Sequence, residues 1–418
     1  MSSIFWESQK FAHSNQYYDV LEILRYTDEP IEAKSESFPP RVLVHKLKNG
    51  ISRHRRGRTL ASLLQLLKLD RNQDNQLLIG ADEFREIFRF YGIDPFILYL
   101  VVRQSHGCYH SRHGDDDEGV DSFYLNSVSM MLLWSYQRAS KKTFAIIIPR
   151  QSNSIDTSAG IYAKFLNTLG KQKELFEYPW YLQLASVIEQ SLWLDVVSGA
   201  ELQAIRHIEE RTRHGNWVST ESPPEFSELI KISEKIGFAN AALANAWRQA
   251  DLMLNLLAVN GLASSNGNRD CDRIDTNIDR SKEEQAKQVA ALLRTQITIR
   301  KDDISYLQKR AENQSSVIFG LISLNVAESA KLDSSAMKII AVMTMLFLPG
   351  TFFATLFAVP SLKWDEDPVI TDRFWVYVVF TIPSTLFILI LYKGWKNILI
   401  YQPRLDKLYE VVKKLNTC

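Results

Sequence analysis

Residues 339–360, IIAVMTMLFLPGTFFATLFAVP, decide the fold because they form 22 consecutive positions without a charge. At a helical rise of about 1.5 Å per residue, this stretch reaches about 33 Å and spans the hydrocarbon core of a bilayer. Residues 374–392, FWVYVVFTIPSTLFILILY, form a second uncharged stretch. Two such stretches in succession are untypical of buried helices in a soluble protein, so the sequence predicts a transmembrane hairpin.

Short charged segments around the two spans predict their orientation. The loop at residues 361–373 holds two basic and four acidic residues, whereas the tail at 393–418 holds six basic and two acidic residues. The positive-inside rule therefore places the tail in the cytosol and the loop outside, and two spans return the N-terminal part to the cytosol. We expect an integral membrane protein with both termini cytosolic, in the plasma membrane rather than an organelle.

Overall composition excludes several functional classes. The 418 residues carry a formal net charge of +1, so no global field favours nucleic acid as a partner. Three cysteines without a repeated spacing suit a reducing compartment. No P-loop, Gly-x-Ser-x-Gly or His-Glu-x-x-His motif is present. We therefore expect neither an enzyme nor a stably bound cofactor.

The first 275 residues are expected to form a cytosolic α+β domain, because strand patterns come early and helical patterns late. Residues 127–136 and 142–149 are apolar and rich in strand formers, which predicts a β-hairpin, and residues 42–47 predict another strand. The predicted helices are 59–69, 81–91, 159–170, 180–208 and 225–259.

One long helix is predicted to lead into the membrane, since only one glycine and no proline occur between residues 275 and 335. A heptad seam runs along it: Ile304, Leu307, Ala311, Gln314, Ile318, Leu321 and Asn325. This seam would pack either on the chain's own domain or in a coiled coil of identical stalks. The predicted organisation is a cytosolic α+β domain (1–275), a stalk helix (276–336), transmembrane helix 1 (337–360), an extracytosolic loop (361–373), transmembrane helix 2 (374–392) and a basic tail (393–418).

Two clusters contain metal-ligand residue types. The segment 70–74 begins like an EF-hand loop, but Asn75 and Ala81 occupy the positions of the required glycine and glutamate. It is interpreted as a solvated turn that caps the next helix. His106, Cys108, His110 and His113 precede acidic residues 115–117 without a Cys-x-x-Cys pair, and they are interpreted as structural or exposed residues of a flexible loop.

The first span carries a stripe of hydroxyl groups. Thr344, Leu348, Thr351 and Thr355 recur at offsets of four, three and four, so they share one helical face. The same face extends to Met337 and Ala341 below and to Ala358 above. Its hydroxyls would either bond their own helix and neighbouring helices or line a pore and contact hydrated ions.

Residues 333–354, DSSAMKIIAVMTMLFLPGTFFA, closely resemble the first transmembrane segment of CorA-like magnesium transporters, particularly the fungal branch. Residues 316–322, SVIFGLI, and the second span fit this resemblance. It implies a homopentamer with a cytosolic funnel and a stalk helix that continues as the pore-lining span. It also implies transport of a divalent cation such as Mg²⁺ and places Thr351 on the family's pore threonine.

The family's Tyr-Gly-Met-Asn mouth motif falls on Phe357, Ala358, Val359 and Pro360, which differ at all four positions. In the family, the asparagine carbonyl helps to hold the hydrated ion, and a proline side chain has no oxygen for this role. Acidic residues Asp365, Glu366 and Asp367 would either concentrate cations by their field or simply form a solvated loop that is excluded from the bilayer. The sequence thus supports a divalent-cation channel, with a transport-inactive membrane scaffold or sensor as the alternative.

Overall fold

The computed structural model describes residues 11–12, 15–27, 29–49, 59–114, 119–150, 158–215, 224–259, 277–361 and 375–394. The chain divides into two compact units, Met1–Ile318 and Phe319–Cys418. The first unit thus extends along the long helix beyond residue 275, where the sequence pattern placed the end of the cytosolic domain.

A seven-stranded mixed sheet forms the centre of the first unit. Its strands are β1 Tyr18–Tyr26, β2 Glu32–Phe38, β3 Leu60–Lys68, β4 Gly107–His113, β5 Val120–Asn126, β6 Met130–Gln137 and β7 Lys142–Pro149. The spatial order is β2-β1-β3-β7-β6-β5-β4. β3 and β7 pair in parallel, and the other neighbouring pairs of described strands are antiparallel. Among the described strands, β3 and β7 are therefore the neighbours that run in the same direction.

The described residues also form α-helices. They are α1 Pro40–Asn49, α2 Ala81–Phe90, α3 Pro95–Arg103, α4 Ser158–Lys171, α5 Tyr181–Thr212, α6 Phe226–Ala258, α7 Asn277–Ser361 and α8 Trp375–Gly394. The predicted β6–β7 hairpin is confirmed, and its nearly continuous apolar sequence is buried. A hydrophobic core that includes Phe84, Ile97 and Ile146 fills the space between the sheet and helices α1, α2 and α3.

Two local predictions are wrong. Residues 42–47 lie in helix α1, where Leu43 and Leu47 are buried one turn apart and Pro40 occupies the first turn. Residues 59–69 contain strand β3, which lies between β1 and β7. A central strand is buried on both faces, so its sequence is a continuous apolar run that periodicity cannot distinguish from a buried helix.

The heptad seam packs within the chain as far as Ile318. Ile304, Ala311 and Ile318 are buried inside the first unit. Gln314, also buried, accepts a hydrogen bond from the Thr212 hydroxyl at 2.9 Å. The chain's own helices therefore occupy these positions, as one of the two interpretations predicted, and a coiled coil of stalks would have to use other positions.

Charged side chains fasten the same part of α7 to α5 and α6. Arg310 of α7 donates two hydrogen bonds to Glu209 of α5, at 3.0 and 2.7 Å. The Lys301 ammonium bonds Asp251 of α6 at 2.6 Å and lies 4.2 Å from the centre of the Trp247 ring. These contacts fix this part of the long helix against the α+β domain.

The second unit contains the apolar end of α7 and all of α8, both long and apolar enough to cross a membrane. Their large side chains are exposed: Ile340 by 66%, Phe347 by 61% and Ile390 by 67%. Such a surface is unfavourable in water and suits hydrocarbon, so the chain is a membrane protein. The predicted fold class, an α+β domain followed by a long helix and two apolar helices, is confirmed.

Candidate functional site

The two apolar helices pack through one face of α7. Pro349 is buried, and Val342, Met345 and Phe353 on the same face are partly buried. The Tyr377 hydroxyl of α8 donates a hydrogen bond to the Gly350 carbonyl at 3.2 Å. A face with Gly and Pro brings the two backbones close together, as is usual between membrane helices.

The predicted pore face lies on a different side of α7. Met337, Ala341, Thr344, Leu348, Thr351 and Thr355 are all exposed in the chain. Because successive residues turn about 100° around a helix, the centre of this face lies about 130° from the face that packs on α8. Packing against α8 therefore does not bury the threonine stripe.

Each threonine of the stripe donates its hydroxyl proton to its own helix. Thr344 bonds the Ile340 carbonyl at 2.5 Å, and Thr355 bonds the Phe352 carbonyl at 2.8 Å. Thr351 contacts the carbonyls of Phe347 and Leu348 at 3.1 and 3.0 Å. The proton of each hydroxyl thus points inward and its oxygen lone pairs stay available to accept from another group. This geometry satisfies the self-bonding interpretation and also allows contact with the water shell of an ion.

Three members of the stripe also border a groove of about 520 Å³ between the helices. Leu348, Thr351 and Thr355 line it on the α7 side, and Ser384 and Ile388 line it on the α8 side. The sequence analysis missed these α8 residues. Their spacing of four residues places them on one face of α8 and could have indicated a shared surface.

The lower end of the stripe continues to an acidic residue that the sequence analysis did not assign. Asp333 lies four residues before Met337, so it shares the same helical face, and its side chain is exposed. At the upper end, α7 continues to Ser361. The structure describes the backbone, and not the side chains, of Phe357, Ala358, Val359 and Pro360. Asp365, Glu366 and Asp367 lie outside the described residues, so their roles stay predictions.

The two clusters of metal-ligand types serve other purposes where they are described. Residues 107–113 form strand β4, so the predicted loop is wrong, and His110 stacks on Phe123 and bonds Asp121 at 3.3 Å. Residues 70–75 form a turn, but Gly80 and Glu83 cap helix α2 in place of that turn. Residues 115–117 lie outside the described residues. Within the part of the chain that is described, no group of three His, Cys, Asp or Glu side chains is placed to hold a metal.

No protein-family model matches the chain. A curated relative, Notoamide biosynthesis cluster protein M′ of Aspergillus versicolor, is 38% identical over 72 residues, which span 16% of this chain and 16% of the relative. The solved structure of the full-length CmaX protein is similar over 91% of this chain and 97% of its own, with 11% identity and a TM-score of 0.43.

The CorA magnesium transporter of Methanocaldococcus jannaschii is similar over 90% of this chain and 97% of its own, with 11% identity and a TM-score of 0.37. The class of transporter that the sequence resembles is therefore among the solved structures to which the chain is similar. Both TM-scores are below 0.5, so neither likeness indicates a function for this chain.

Proposed function

We propose that the chain is a CorA-like channel or transporter that passes divalent cations, with Mg²⁺ the first candidate, along the threonine stripe of α7. The observation that supports the proposal most strongly is this stripe itself, which is exposed on α7 and carries three hydroxyl oxygens in line. Transport would be passive and driven by the membrane potential.

The exposed surface of α7 is divided into two arcs of different chemistry. The bulky side chains Ile340, Met343 and Phe347 lie on one arc, whose centre is about 90° from the centre of the threonine stripe. Bulky apolar groups suit lipid or helix contacts, whereas hydroxyl groups between apolar constrictions suit contact with a hydrated ion. This division favours a pore wall over a uniformly lipid-facing helix.

A pore of this kind needs several copies of α7 around one axis. One helix supplies only one wall, so we propose a homo-oligomer, a pentamer by resemblance to the family, with the stripes facing each other. Asp333 would then form an acidic ring on the cytosolic side of Met337, and rings of this type favour cations. The cytosolic position of both termini and the plasma membrane location belong to the same proposal.

Flux through reconstituted liposomes tests the pore. Full-length protein in vesicles with a magnesium-sensitive dye should admit Mg²⁺, and Thr351→Val should reduce the rate about threefold or more because one accepting oxygen per copy is lost. Thr385→Val is the matched control, since Thr385 of α8 bonds its own helix in the same way, at 2.7 Å. Asp365→Ala tests the outer acidic residues.

Size-exclusion chromatography in detergent should show unchanged assembly in all three variants. Unchanged flux in both Thr351→Val and Asp365→Ala would remove the pore assignment. Parallel measurements with nickel and cobalt would identify the preferred ion.

A second candidate function is a membrane-anchored scaffold or sensor that does not transport. Pro360, at the position of the family's entrance asparagine, favours it because proline offers no side-chain oxygen to the hydrated ion. Mg²⁺ dehydrates reluctantly, so a mouth that does not hold the water shell would conduct it poorly. The name of the fungal relative refers to a biosynthesis cluster and to no ion. Well-assembled wild-type protein without cation uptake would establish this second candidate.

A further inference from the structure

A polar pocket lies at one edge of the sheet in the cytosolic domain, far in sequence from the membrane helices. Arg71 follows strand β3 and Arg150 follows strand β7, and both line a cavity of about 520 Å³. β3 and β7 are the parallel pair, with Lys68 beside Ile147, so both segments leave the sheet at the same edge. In open, mostly parallel α/β sheets, ligands bind outside the carboxyl ends of the strands, and the ends of the parallel pair β3 and β7 offer a comparable position here.

Arg71 is held by a turn that leaves part of its guanidinium group without a partner. Its Nη1 donates to the Asn75 carbonyl at 2.9 Å, whereas its Nη2 is buried and has no hydrogen-bond acceptor among the described residues. The turn is itself fixed, because the Asn72 amide and Gln76 exchange two hydrogen bonds at 2.9 and 2.8 Å. A buried donor without an acceptor is costly, so a ligand oxygen at this point would stabilise the domain.

Arg150 is oriented by the side chain of Asn126 on β5, which is itself held by the backbone at the end of α3. Its Nη2 donates to Asn126 Oδ1 at 2.7 Å, and the Asn126 amide donates to the Gln104 carbonyl at 2.8 Å. Gln104 also lines the pocket, where it adopts a left-handed conformation at the end of α3. The second guanidinium group is therefore positioned before any ligand arrives.

The pocket concentrates positive charge. Burial, and after it the charge of Arg150, lower the pKa of Arg71 to about 10, so Arg71 stays protonated at neutral pH. The carboxylate of the lining belongs to Asp70: its Oδ2 is paired with Lys68 at 3.1 Å, whereas its Oδ1 is buried without a donor among the described residues, so two arginines stand against one half-paired carboxylate. Within the described ranges, neither arginine forms an ion pair with a carboxylate. This arrangement favours an anion and disfavours the calcium ion that the EF-hand-like sequence of the turn would suggest.

We propose that the Arg71–Arg150 pocket binds a small molecule that carries a phosphate group. Two guanidinium groups offer planar pairs of N–H donors that match phosphate oxygens in a bidentate manner. The volume is within the range of about 300–1,000 Å³ typical of small-molecule sites, so it accommodates more than a phosphate ion alone. A ligand held here would contact β3, β7 and the end of α3 together.

Binding of inorganic phosphate by the full-length chain in detergent tests the proposal. Thermal unfolding and isothermal titration calorimetry are followed at constant ionic strength, with chloride replacing phosphate in the reference. We expect saturable stabilisation of the wild type, and a dissociation constant about tenfold higher in Arg71→Gln and in Arg150→Gln. Arg89→Gln, which removes an exposed charge from α2, is the matched control and should bind like the wild type.

Charge-retaining variants distinguish a loss of phosphate binding from a loss of folding. Arg71→Lys and Arg150→Lys keep the charge but lose the planar fork, and both should still weaken phosphate binding. The proposal is overturned if wild-type stabilisation is not saturable, or if the Lys variants and the control all bind like the wild type. Acetate at the same ionic strength distinguishes a carboxylate ligand, because equal binding of acetate would overturn the phosphate assignment. None of these outcomes depends on whether the chain conducts ions.

Discussion

Replacing Asp121 by asparagine tests how the edge of the sheet is stabilised. Asp121 lies on β5 with only 2% of its side chain exposed, and Arg138 approaches its Oδ2 to 2.6 Å. Arg112 Nε and His110 Nε2 contact Oδ1 at 3.1 and 3.3 Å. One buried carboxylate thus connects β4, β5 and the end of β6, and Asp121→Asn removes its charge with little change of shape.

The magnitude follows from the pKa. Burial alone would raise the pKa of Asp121, but hydrogen bonds from His110 and Arg138 and the charge of Arg138 lower it from 3.8 to about 2. One pKa unit corresponds to about 1.4 kcal/mol, so ionisation contributes about 2 kcal/mol to folding. Because the folded pKa is the lower one, this stability is complete above the unfolded pKa and is lost as the pH falls toward 2. At pH 3, about 1 kcal/mol should already be lost.

Urea unfolding of the full-length chain between pH 2 and 7 measures this contribution. Near-UV circular dichroism is a suitable probe, because buried Trp134 stacks on Phe123, which stacks on His110. We expect Asp121→Asn to be less stable than the wild type by about 2 kcal/mol at pH 7 and to approach it near pH 2. Asp82→Asn is the control, since Asp82 is 93% exposed and its ion pair with Arg85 contributes little. A constant difference between Asp121→Asn and the wild type from pH 7 to pH 2 would refute the reasoning.

Two further substitutions test how the long helix is held. Glu209→Gln should lower the free energy of unfolding of the first unit by about 2 kcal/mol in urea titrations, because it removes the carboxylate that accepts both hydrogen bonds from Arg310; equal midpoints for variant and wild type would contradict this. Tyr377→Phe removes the hydrogen bond to the Gly350 carbonyl. We expect it to destabilise the pair of helices α7 and α8 by about 0.6 kcal/mol in mixed-micelle unfolding. A stabilising effect would show that the bond is not formed.

The sequence predicts long helices better than it predicts the sheet. α2, α5 and α6 are confirmed within a few residues. Apolar residues that recur every three or four positions over several turns indicate a helix, because a strand has a period of two. β3 fails because Leu is a good helix former and a strand buried on both faces shows no alternation. Residues 42–47 fail for the opposite reason: two valines suggest a strand, while the burial of Leu43 and Leu47 decides for a helix. Tertiary burial, which local propensity does not contain, determined both outcomes.

The two candidate sites also differ in whether the spacing of residues in the sequence can reveal them. The threonine stripe lies within a single helix, so the spacing of its members is enough to place them all on one face. Arg71 and Arg150 are 79 positions apart and meet only because β3 and β7 are parallel neighbours. Asp70, Asn72 and Asp74 lie in the same turn and resemble the start of an EF-hand loop, which would bind a cation. In the folded domain Lys68 pairs with Asp70, and the strand pairing brings Arg71 and Arg150 to the same pocket, so the anion that we propose there follows from the strand pairing rather than from the motif.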